Sequence, residues 1–304
     1  MQTTISPADL RRSVIAVPPL CRDASFKPDA AENAKLIKHI ESGGVNILLY
    51  GGNANFYNIS LAEYETVLDQ LESVAAADTL IIPAIGPFYG TALDQVEILK
   101  RKNFPTAMLL PTMAVSKPEG VKEAVLRLVD KLGKPIVLYV KDEGYVTVEV
   151  TKALVEAGAV SWIKYAVVRQ DPAQDPLLEA ISREVPRELL VSGIGEQPAI
   201  IHRQKFGVEA FTAGCVCVAP NRSQEMLLAL QAGDIAKAEQ IRERFLPLED
   251  LRNAHGPIQV LHHAVQLAGI AQTGPQLPLL TELDSGIQAS IERAAKDTLA
   301  WSRA

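Results

Sequence analysis

The amino-acid sequence predicts an α/β protein, a (β/α)8 TIM barrel followed by a helical extension. Eight short apolar runs alternate with eight amphipathic segments of helical periodicity. The apolar runs are rich in Val, Ile and Leu without strict polar alternation, as expected of parallel strands buried on both faces. No glycine-rich dinucleotide turn follows the first run, which disfavours the rival architecture, a doubly wound open sheet.

The predicted elements follow one another regularly along the chain. The strands are expected at residues 13–19, 45–51, 79–86, 106–112, 135–141, 160–167, 188–195 and 209–216. Apolar positions at three- and four-residue spacing predict helices at 30–42, 61–75, 91–102, 118–132, 147–157, 172–184, 197–206 and 223–232. Ser60 and Glu63 have the spacing of a capping box, and Gly158 and Gly233 follow helical runs as C-terminal caps do. Eight β-then-α units in series indicate the barrel.

The C-terminal part of the sequence predicts three further helices, at 234–252, 257–271 and 281–302. Their apolar faces must be buried against the barrel or against another subunit. No low-complexity linker separates them from the rest. We therefore expect a barrel over residues 1–233 and a three-helix extension over 234–304, packed together as one structural unit.

Composition narrows the classes of function. The chain has 304 residues, 22% of them charged, and a net charge of −6. No basic run or basic–aromatic patch is present, so we expect no nucleic-acid partner. No run approaches the roughly 18 apolar residues that span a membrane, and the N-terminus has no signal-peptide pattern. The three cysteines (Cys21, Cys215 and Cys217) fit a reducing compartment, and the expected localisation is cytoplasmic.

Lys164 is the most conspicuous residue, because it interrupts the apolar run "SWIKYAVV". Alternate residues of a barrel strand point inward, and Lys164 shares a face with Trp162 and Ala166. The more apolar face belongs against the helices, which directs Lys164 into the barrel. A desolvated lysine has a lowered pKa, and its neutral amine attacks carbonyl carbon. The open alternative is a lysine that reaches solvent or pairs with a carboxylate.

Other candidate residues lie where the predicted strands end, since TIM-barrel active sites form at that face. Tyr139 is a candidate catalytic residue beside Lys164. The candidate substrate-binding residues are Gly52, Asn53, Lys141, Gly193 and Thr212. No Asp, Glu and His cluster has metal-ligand spacing, so no metal is expected. The five histidines fall on or beside predicted helices, and we expect surface or packing roles for them.

Two motifs resemble those of the dihydrodipicolinate synthase / N-acetylneuraminate lyase family. They are "PIVLYVKDEG" at the fifth strand and "WIKYA" at the sixth. The segments "GGVNILLYGGNANFYNISLAEYETVLDQL" and "FTAGCVCVAPNRSQEMLLALQAGDIAKAEQI" are also similar to that family. The resemblance implies that Lys164 forms a Schiff base with pyruvate or another 2-oxo acid, and that Tyr139 relays protons. It further implies no cofactor beyond this covalent Schiff base, and a homo-oligomer, either dimer or tetramer.

The sequence departs from the family pattern at several positions. Gly52 and Asn53 stand where the family usually has two threonines, and Met113 stands where its synthases place a second tyrosine. Trp162 replaces a glycine, and we expect it to narrow the barrel mouth. No arginine is visible at the place where the synthases bind the second substrate's carboxylate. Lys141 is the nearest cationic substitute.

These features together predict a Schiff-base lyase, aldolase or dehydratase that acts on pyruvate or another 2-oxo acid, such as a 2-keto-3-deoxy sugar acid. Two alternatives stay open. The glycines after strands 7 and 8 (Gly193, Gly195 and Gly214) also suit a phosphate-binding barrel enzyme. In the family that the sequence resembles, one of the two threonines and the second tyrosine relay protons with the first tyrosine, and Gly52 and Met113 lack those hydroxyl groups. The reduced relay also suits a barrel that binds a 2-oxo acid without turning it over.

Overall fold

The structure is a computed structural model that describes residues 1–304. Eight strands, each parallel to its neighbours, close into a barrel in chain order, with the last strand paired to the first. The strands are β1 (Ile15–Ala16), β2 (Ile47–Tyr50), β3 (Leu80–Ile85), β4 (Met108–Leu109), β5 (Ile136–Val140), β6 (Val160–Tyr165), β7 (Leu190–Ser192) and β8 (Ala210–Ala213). The predicted (β/α)8 barrel is confirmed.

A short helix precedes the barrel, and one helix then follows each strand. These helices are α1 (Pro7–Arg12), α2 (Ala30–Ser42), α3 (Leu61–Val74), α4 (Tyr89–Leu99), α5 (Pro118–Leu132), α6 (Val148–Glu156), α7 (Pro176–Glu184), α8 (Glu196–Phe206) and α9 (Pro220–Ala232). The first of them was not expected from the sequence. Helix α7 begins four residues later than predicted, because the Asp175 carboxylate accepts the N–H of Leu178 and caps it there.

The predicted glycine caps are present, and one of the two hydrogen bonds of the predicted capping box is formed, because the Glu63 carboxylate pairs with Arg22 instead of the Ser60 N–H. The Ser60 hydroxyl accepts the N–H of Glu63 at the start of α3. Gly158 and Gly233 have φ values of 68° and 76°, the left-handed conformation that glycine adopts without a steric penalty. These caps stop each helix where the chain must turn back toward the barrel.

The strands are shorter than the apolar runs that predicted them. Strand β1 has two residues where seven were expected, and β4 is equally short. Pro18, Pro19 and Pro111 lie just beyond these strands, and proline has no N–H to donate to a neighbouring strand. The apolar residues beyond the strand ends instead line the loops at the carboxyl face of the barrel.

Trp162 is fully buried in the barrel. It precedes Lys164 by two residues on β6, so it shares that residue's inward face one layer closer to the amino ends of the strands. The expectation that Trp162 narrows the barrel mouth is therefore wrong. Strand direction places this side chain beneath the lysine rather than above it.

Three helices follow the barrel, α10 (Ile235–His255), α11 (Pro257–Leu267) and α12 (Ser285–Arg303). Helix α10 packs against α8 and α9, and also against α11 and α12. The boundary at residue 233, between a barrel over residues 1–233 and an extension over 234–304, stays a prediction. The three cysteines are free and buried. None of the helices combines the length and the apolar character that crossing a membrane requires.

Candidate active site

A cavity of about 160 Å³ opens at the carboxyl ends of the barrel strands. Both candidate catalytic residues and all five candidate substrate-binding residues line it: Lys164, Tyr139, Gly52, Asn53, Lys141, Gly193 and Thr212. They come from β5, β6 and β8 and from the turns after β2, β5 and β7. The closure of the barrel brings them together, as expected for strand ends that meet at one face.

Lys164 lies in the wall of this cavity with a relative exposure of 6%. No carboxylate forms a salt bridge with it, and its side chain does not reach bulk solvent. Burial lowers the pKa of Lys164 to about 7, and the positive charges of Arg252 and Lys141 contribute to the shift. A substantial fraction of the amine is therefore neutral and nucleophilic near neutral pH.

Tyr139 is the closest aromatic neighbour of this amine. The two residues are paired in register across β5 and β6, and the Lys164 Nζ lies 4.5 Å from the centre of the Tyr139 ring. Burial raises the pKa of Tyr139, so its hydroxyl stays protonated. When Lys164 is protonated, its ammonium group lies against the face of the Tyr139 ring. The protonated Tyr139 hydroxyl is available as a proton donor.

The turn after β2 lines the cavity and contains backbone N–H groups without a protein partner. The N–H groups of Gly52 and Asn53 donate to no protein acceptor, while the carbonyls of this turn accept the bonds that close it. The side-chain amide of Asn53 donates to the Val17 carbonyl at 3.0 Å. One of the two hydrogens of the Asn53 side-chain amide is therefore already used within the protein. The free backbone N–H groups remain as donors.

His262 supports this turn from α11. Its Nε2 lies 3.2 Å from the carbonyl oxygen of Asn53. Burial lowers the pKa of His262 to about 4, so the ring is neutral and Nε2–H can donate to that carbonyl. Surface or packing roles were expected for all histidines, but His262 also forms a hydrogen bond to the turn that lines the cavity.

Gly193 follows β7 and lies directly beside the lysine. A Cβ at this position would be 2.9 Å from Lys164 Cγ and 2.8 Å from the carbonyl oxygen of Tyr165. Thr212 lines the wall from the neighbouring strand β8, and its carbonyl accepts the N–H of Gly195. Lys141 is exposed at the rim, with its Nζ 6.0 Å from the centre of the Tyr57 ring.

Arg252 also lines the cavity, although it is not among the candidates predicted from the sequence. It belongs to α10, beyond the last barrel strand, and only 8% of it is exposed. Its guanidinium packs against the backbone of Gly214, where an added Cβ would be 2.5 Å from the Cζ atom. A signal existed in the sequence, because Arg252 continues the helical spacing of Phe245 and Leu248, which marks the buried face of α10.

Two buried carboxyl groups lie behind this arginine. Both oxygens of Glu249 accept backbone N–H groups at the start of α8, from Glu196 at 3.1 Å and Gln197 at 2.9 Å. The Glu196 carboxyl accepts the Ser223 hydroxyl at 2.7 Å. Burial raises the pKa of both carboxyls, which favours one shared proton between them.

These carboxyls and one thiol form a group that the sequence did not reveal. Ligand-type atoms of Glu196, Cys215 and Glu249 lie within 4.8 Å of one another. The three residues come from α8, from the turn after β8 and from α10, so no sequence spacing connects them. Because both Glu249 oxygens cap α8, we interpret the group as a structural link between α10 and the barrel.

Comparison with known proteins gives a consistent result. The sequence model of the "Dihydrodipicolinate synthetase family" matches residues 14–298. The chain is 22% identical over 269 residues to a 4-hydroxy-tetrahydrodipicolinate synthase of Corynebacterium diphtheriae, a match that covers 88% of each protein. It is 25% identical over 145 residues to a probable 5-dehydro-4-deoxyglucarate dehydratase of Bacillus subtilis, and this match covers 46% of the chain and 47% of that protein.

The fold agrees with a solved structure. The crystal structure of dihydrodipicolinate synthase from Bacillus clausii superposes with a TM-score of 0.86 and 21% identity, over 97% of this chain and 99% of that one. This likeness concerns the barrel and its helical extension. It places Lys164 and Arg252 in a known architecture without assigning them a role.

Proposed function

Because the chain belongs to the dihydrodipicolinate synthetase family, we propose that it is a Schiff-base lyase that acts on pyruvate or another 2-oxo acid. The observation that carries this proposal is Lys164, a buried amine without a carboxylate partner and with a pKa lowered to about 7. Such an amine is neutral often enough to attack a ketone, which an exposed lysine rarely is at neutral pH.

The proposed first step is attack of the Lys164 Nζ on the carbonyl carbon of the 2-oxo acid. The C–N bond forms as the carbonyl π bond breaks, and the oxygen takes a proton to give a carbinolamine. Loss of water then leaves a protonated imine. The phenol of Tyr139, held in register beside the amine, is the proposed proton donor and acceptor for this oxygen.

The remaining cavity residues have proposed roles in binding. The free N–H groups of Gly52 and Asn53 are suited to the carboxylate next to the carbonyl. Gly193 leaves room for the lysine, Thr212 forms the wall, and Lys141 at the rim attracts an anionic substrate. The protonated imine withdraws electrons from the adjacent carbon, which assists either cleavage of the next C–C bond or loss of a hydroxyl group as water.

The relatives bear the names of a synthase and of a probable dehydratase. We therefore propose the Schiff-base step in particular and keep open whether C–C cleavage, C–C formation or dehydration follows. No cofactor beyond the covalent Schiff base is part of this proposal. The protein is further proposed to be a homo-oligomer, dimer or tetramer, and the exposed apolar side chains of Phe88, Met113 and Val115 support this.

The phosphate-binding alternative has less support. The space beside two of the glycines after β7 and β8 is filled by protein side chains. Glu249 lies against Gly195, and Arg252 lies against Gly214. The N–H groups at the start of α8, which would bind a phosphate, donate to the Glu249 carboxylate instead.

The test is reductive trapping. Incubation with pyruvate and borohydride should leave a reduced pyruvyl group on Lys164, located by peptide mass spectrometry. Lys164→Ala should abolish the adduct, and the control Lys100→Ala, which removes an exposed lysine, should not. No adduct with any of a panel of 2-oxo acids would refute the proposal. An adduct without turnover would favour a barrel that only binds 2-oxo acids.

A further inference from the structure

The cavity contains a second unpaired cation besides Lys164. The guanidinium of Arg252 is buried, forms no salt bridge, and has an Nε without a hydrogen-bond partner. A buried guanidinium is costly unless anions or acceptors compensate it. The neighbouring Cys215 thiol is a weak acceptor. The nearby Glu249 and Glu196 carboxyls act on Arg252 without forming a salt bridge. Oxygens of these carboxyls already accept backbone N–H groups and the Ser223 hydroxyl, so the guanidinium has no direct carboxylate partner. An arginine in this state, facing a cavity, calls for an anionic ligand.

We propose that Arg252 binds a second carboxylate of the substrate, so that the substrate is a 2-oxo acid with a carboxylate at its other end. This inference rests on the proposed Schiff-base function and deepens it. The planar guanidinium fork matches both oxygens of a carboxylate, which a lysine cannot do.

The position of Arg252 is fixed by its surroundings. Gly214 lets the guanidinium lie against the backbone after β8, because any side chain there would occupy its place. One turn earlier on α10, the Glu249 carboxylate bonds to the first N–H groups of α8. This contact anchors α10 to the barrel and keeps Arg252 over the cavity. Glu249 is therefore a positioning residue in this proposal.

The charges of the cavity support a dianionic substrate. Its lining contains Lys141, Lys164 and Arg252 and no aspartate or glutamate. A 2-oxo monoacid would supply one negative charge, and the protonated imine keeps the positive charge of the Lys164 nitrogen in the cavity. A second carboxylate brings the total closer to neutrality. The free N–H groups after β2 offer a separate place for the first carboxylate, because β1 separates β2 from β8.

The experiment compares two five-carbon probes, 2-oxoglutarate and 2-oxopentanoate, which differ only in the terminal group. The concentration that gives half-maximal borohydride trapping is measured for each. In the wild type we expect 2-oxoglutarate to be preferred by on the order of tenfold or more, the usual effect of a charge-assisted hydrogen-bonded pair. Arg252→Met should lose this preference, and Arg252→Lys should keep part of it. Arg242→Met removes the same charge from α10 outside the cavity and should change nothing.

Two outcomes would overturn the proposal. Trapping is compared at a pH above the Lys164 midpoint of each variant, so that a shifted amine pKa does not affect both probes. If Arg252→Met then raises the half-maximal concentration of both probes equally, Arg252 binds the carboxylate next to the carbonyl instead. If the preference is absent from the wild type, or if neither half-maximal concentration changes in Arg252→Met, Arg252 has only a structural role. Thermal unfolding of each variant shows whether a loss of trapping results from misfolding. If Arg252→Met is misfolded, the wild type is compared with Arg252→Lys instead.

A second measurement separates this proposal from the Schiff-base proposal. Calorimetric titration with glutarate and with pentanoate tests binding without a carbonyl group. If no 2-oxo acid is trapped but glutarate binds the wild type and not Arg252→Met, the lyase proposal fails and the dicarboxylate site stands. If trapping occurs but glutarate binds no better than pentanoate, the dicarboxylate site fails and the lyase proposal stands.

Discussion

The Lys164 Nζ lies 4.5 Å from the centre of the Tyr139 ring, and the two residues face each other in register on neighbouring strands. The ring face attracts the ammonium cation and favours the protonated state. Burial and the charges of Arg252 and Lys141 act in the opposite direction, and the pKa of Lys164 falls to about 7. Near neutral pH both protonation states are therefore accessible.

Adduct formation should follow the deprotonation of Lys164. Below pH 7 we expect the initial trapping rate with pyruvate to fall about tenfold per pH unit, because only the neutral amine attacks the carbonyl. Arg252→Met removes a nearby positive charge and should move the midpoint upward. Trapping rates across pH check this. A wild-type midpoint near the ordinary lysine value of 10.5 would contradict it.

Lys164 should reduce the stability of the fold in a pH-dependent way. Its pKa is about 7 in the folded protein and about 10.5 when unfolded, so between these values the unfolded chain holds a proton that the folded one lacks. Wild-type stability then rises with pH through this window and is lowest below pH 7. Residue 164 of the Lys164→Met variant does not titrate. The variant's free energy of unfolding should therefore exceed that of the wild type by on the order of a few kcal/mol below pH 7, and this difference should shrink toward pH 10.

Urea unfolding of both proteins across this range measures the difference. A gap between Lys164→Met and wild type that does not change with pH would show that the lysine is not desolvated in the folded protein. A methionine of similar length keeps the packing beside Gly193, so a cavity should not obscure the comparison.

Tyr139→Phe should separate binding from proton transfer. The ring and its contact with Lys164 remain, while the hydroxyl is lost. We expect borohydride trapping to occur more slowly but to reach the same final extent. Turnover of the physiological substrate should fall by about 10²- to 10⁴-fold, the usual contribution of a general acid–base group. Unchanged rates of trapping and turnover would assign Tyr139 a packing role alone.

Gly214→Ala should displace Arg252 without touching the lysine. The backbone at Gly214 has a φ of −92°, which any residue adopts, so the effect is purely steric. We expect weaker trapping of 2-oxoglutarate with little change for 2-oxopentanoate, and a stability loss of about 1–3 kcal/mol from overpacking. Gly120→Ala, in α5 where the added methyl group meets open space, is the matched control. Equal losses for the two probes would contradict the prediction.

Much of this protein was predictable because its information is local. Buried parallel strands, amphipathic helices and caps such as Ser60 and Gly233 follow from short sequence windows, and eight repeats of one unit leave few alternative folds. The strand lengths were less predictable, since an apolar residue such as Leu110 or Val17 is equally suited to a strand or to a buried loop. The alternation along β6 correctly predicted the direction of Lys164.

The residues that complete the site depended on contacts between distant segments. Arg252 is on a helix that begins after the last strand, and an arginine on a helix is ordinarily exposed. The depth of Trp162, by contrast, follows from residue order, because a residue two positions before Lys164 lies nearer the amino end of the strand and away from the cavity. Local patterns were therefore sufficient for the barrel, the inward direction of Lys164 and the strand-end candidates around it. Helical spacing marks Arg252 as part of a buried face but does not say what that face contacts. The contacts of Arg252 with Gly214 and of Glu249 with α8 are known from the folded structure alone, because they join segments far apart in the sequence.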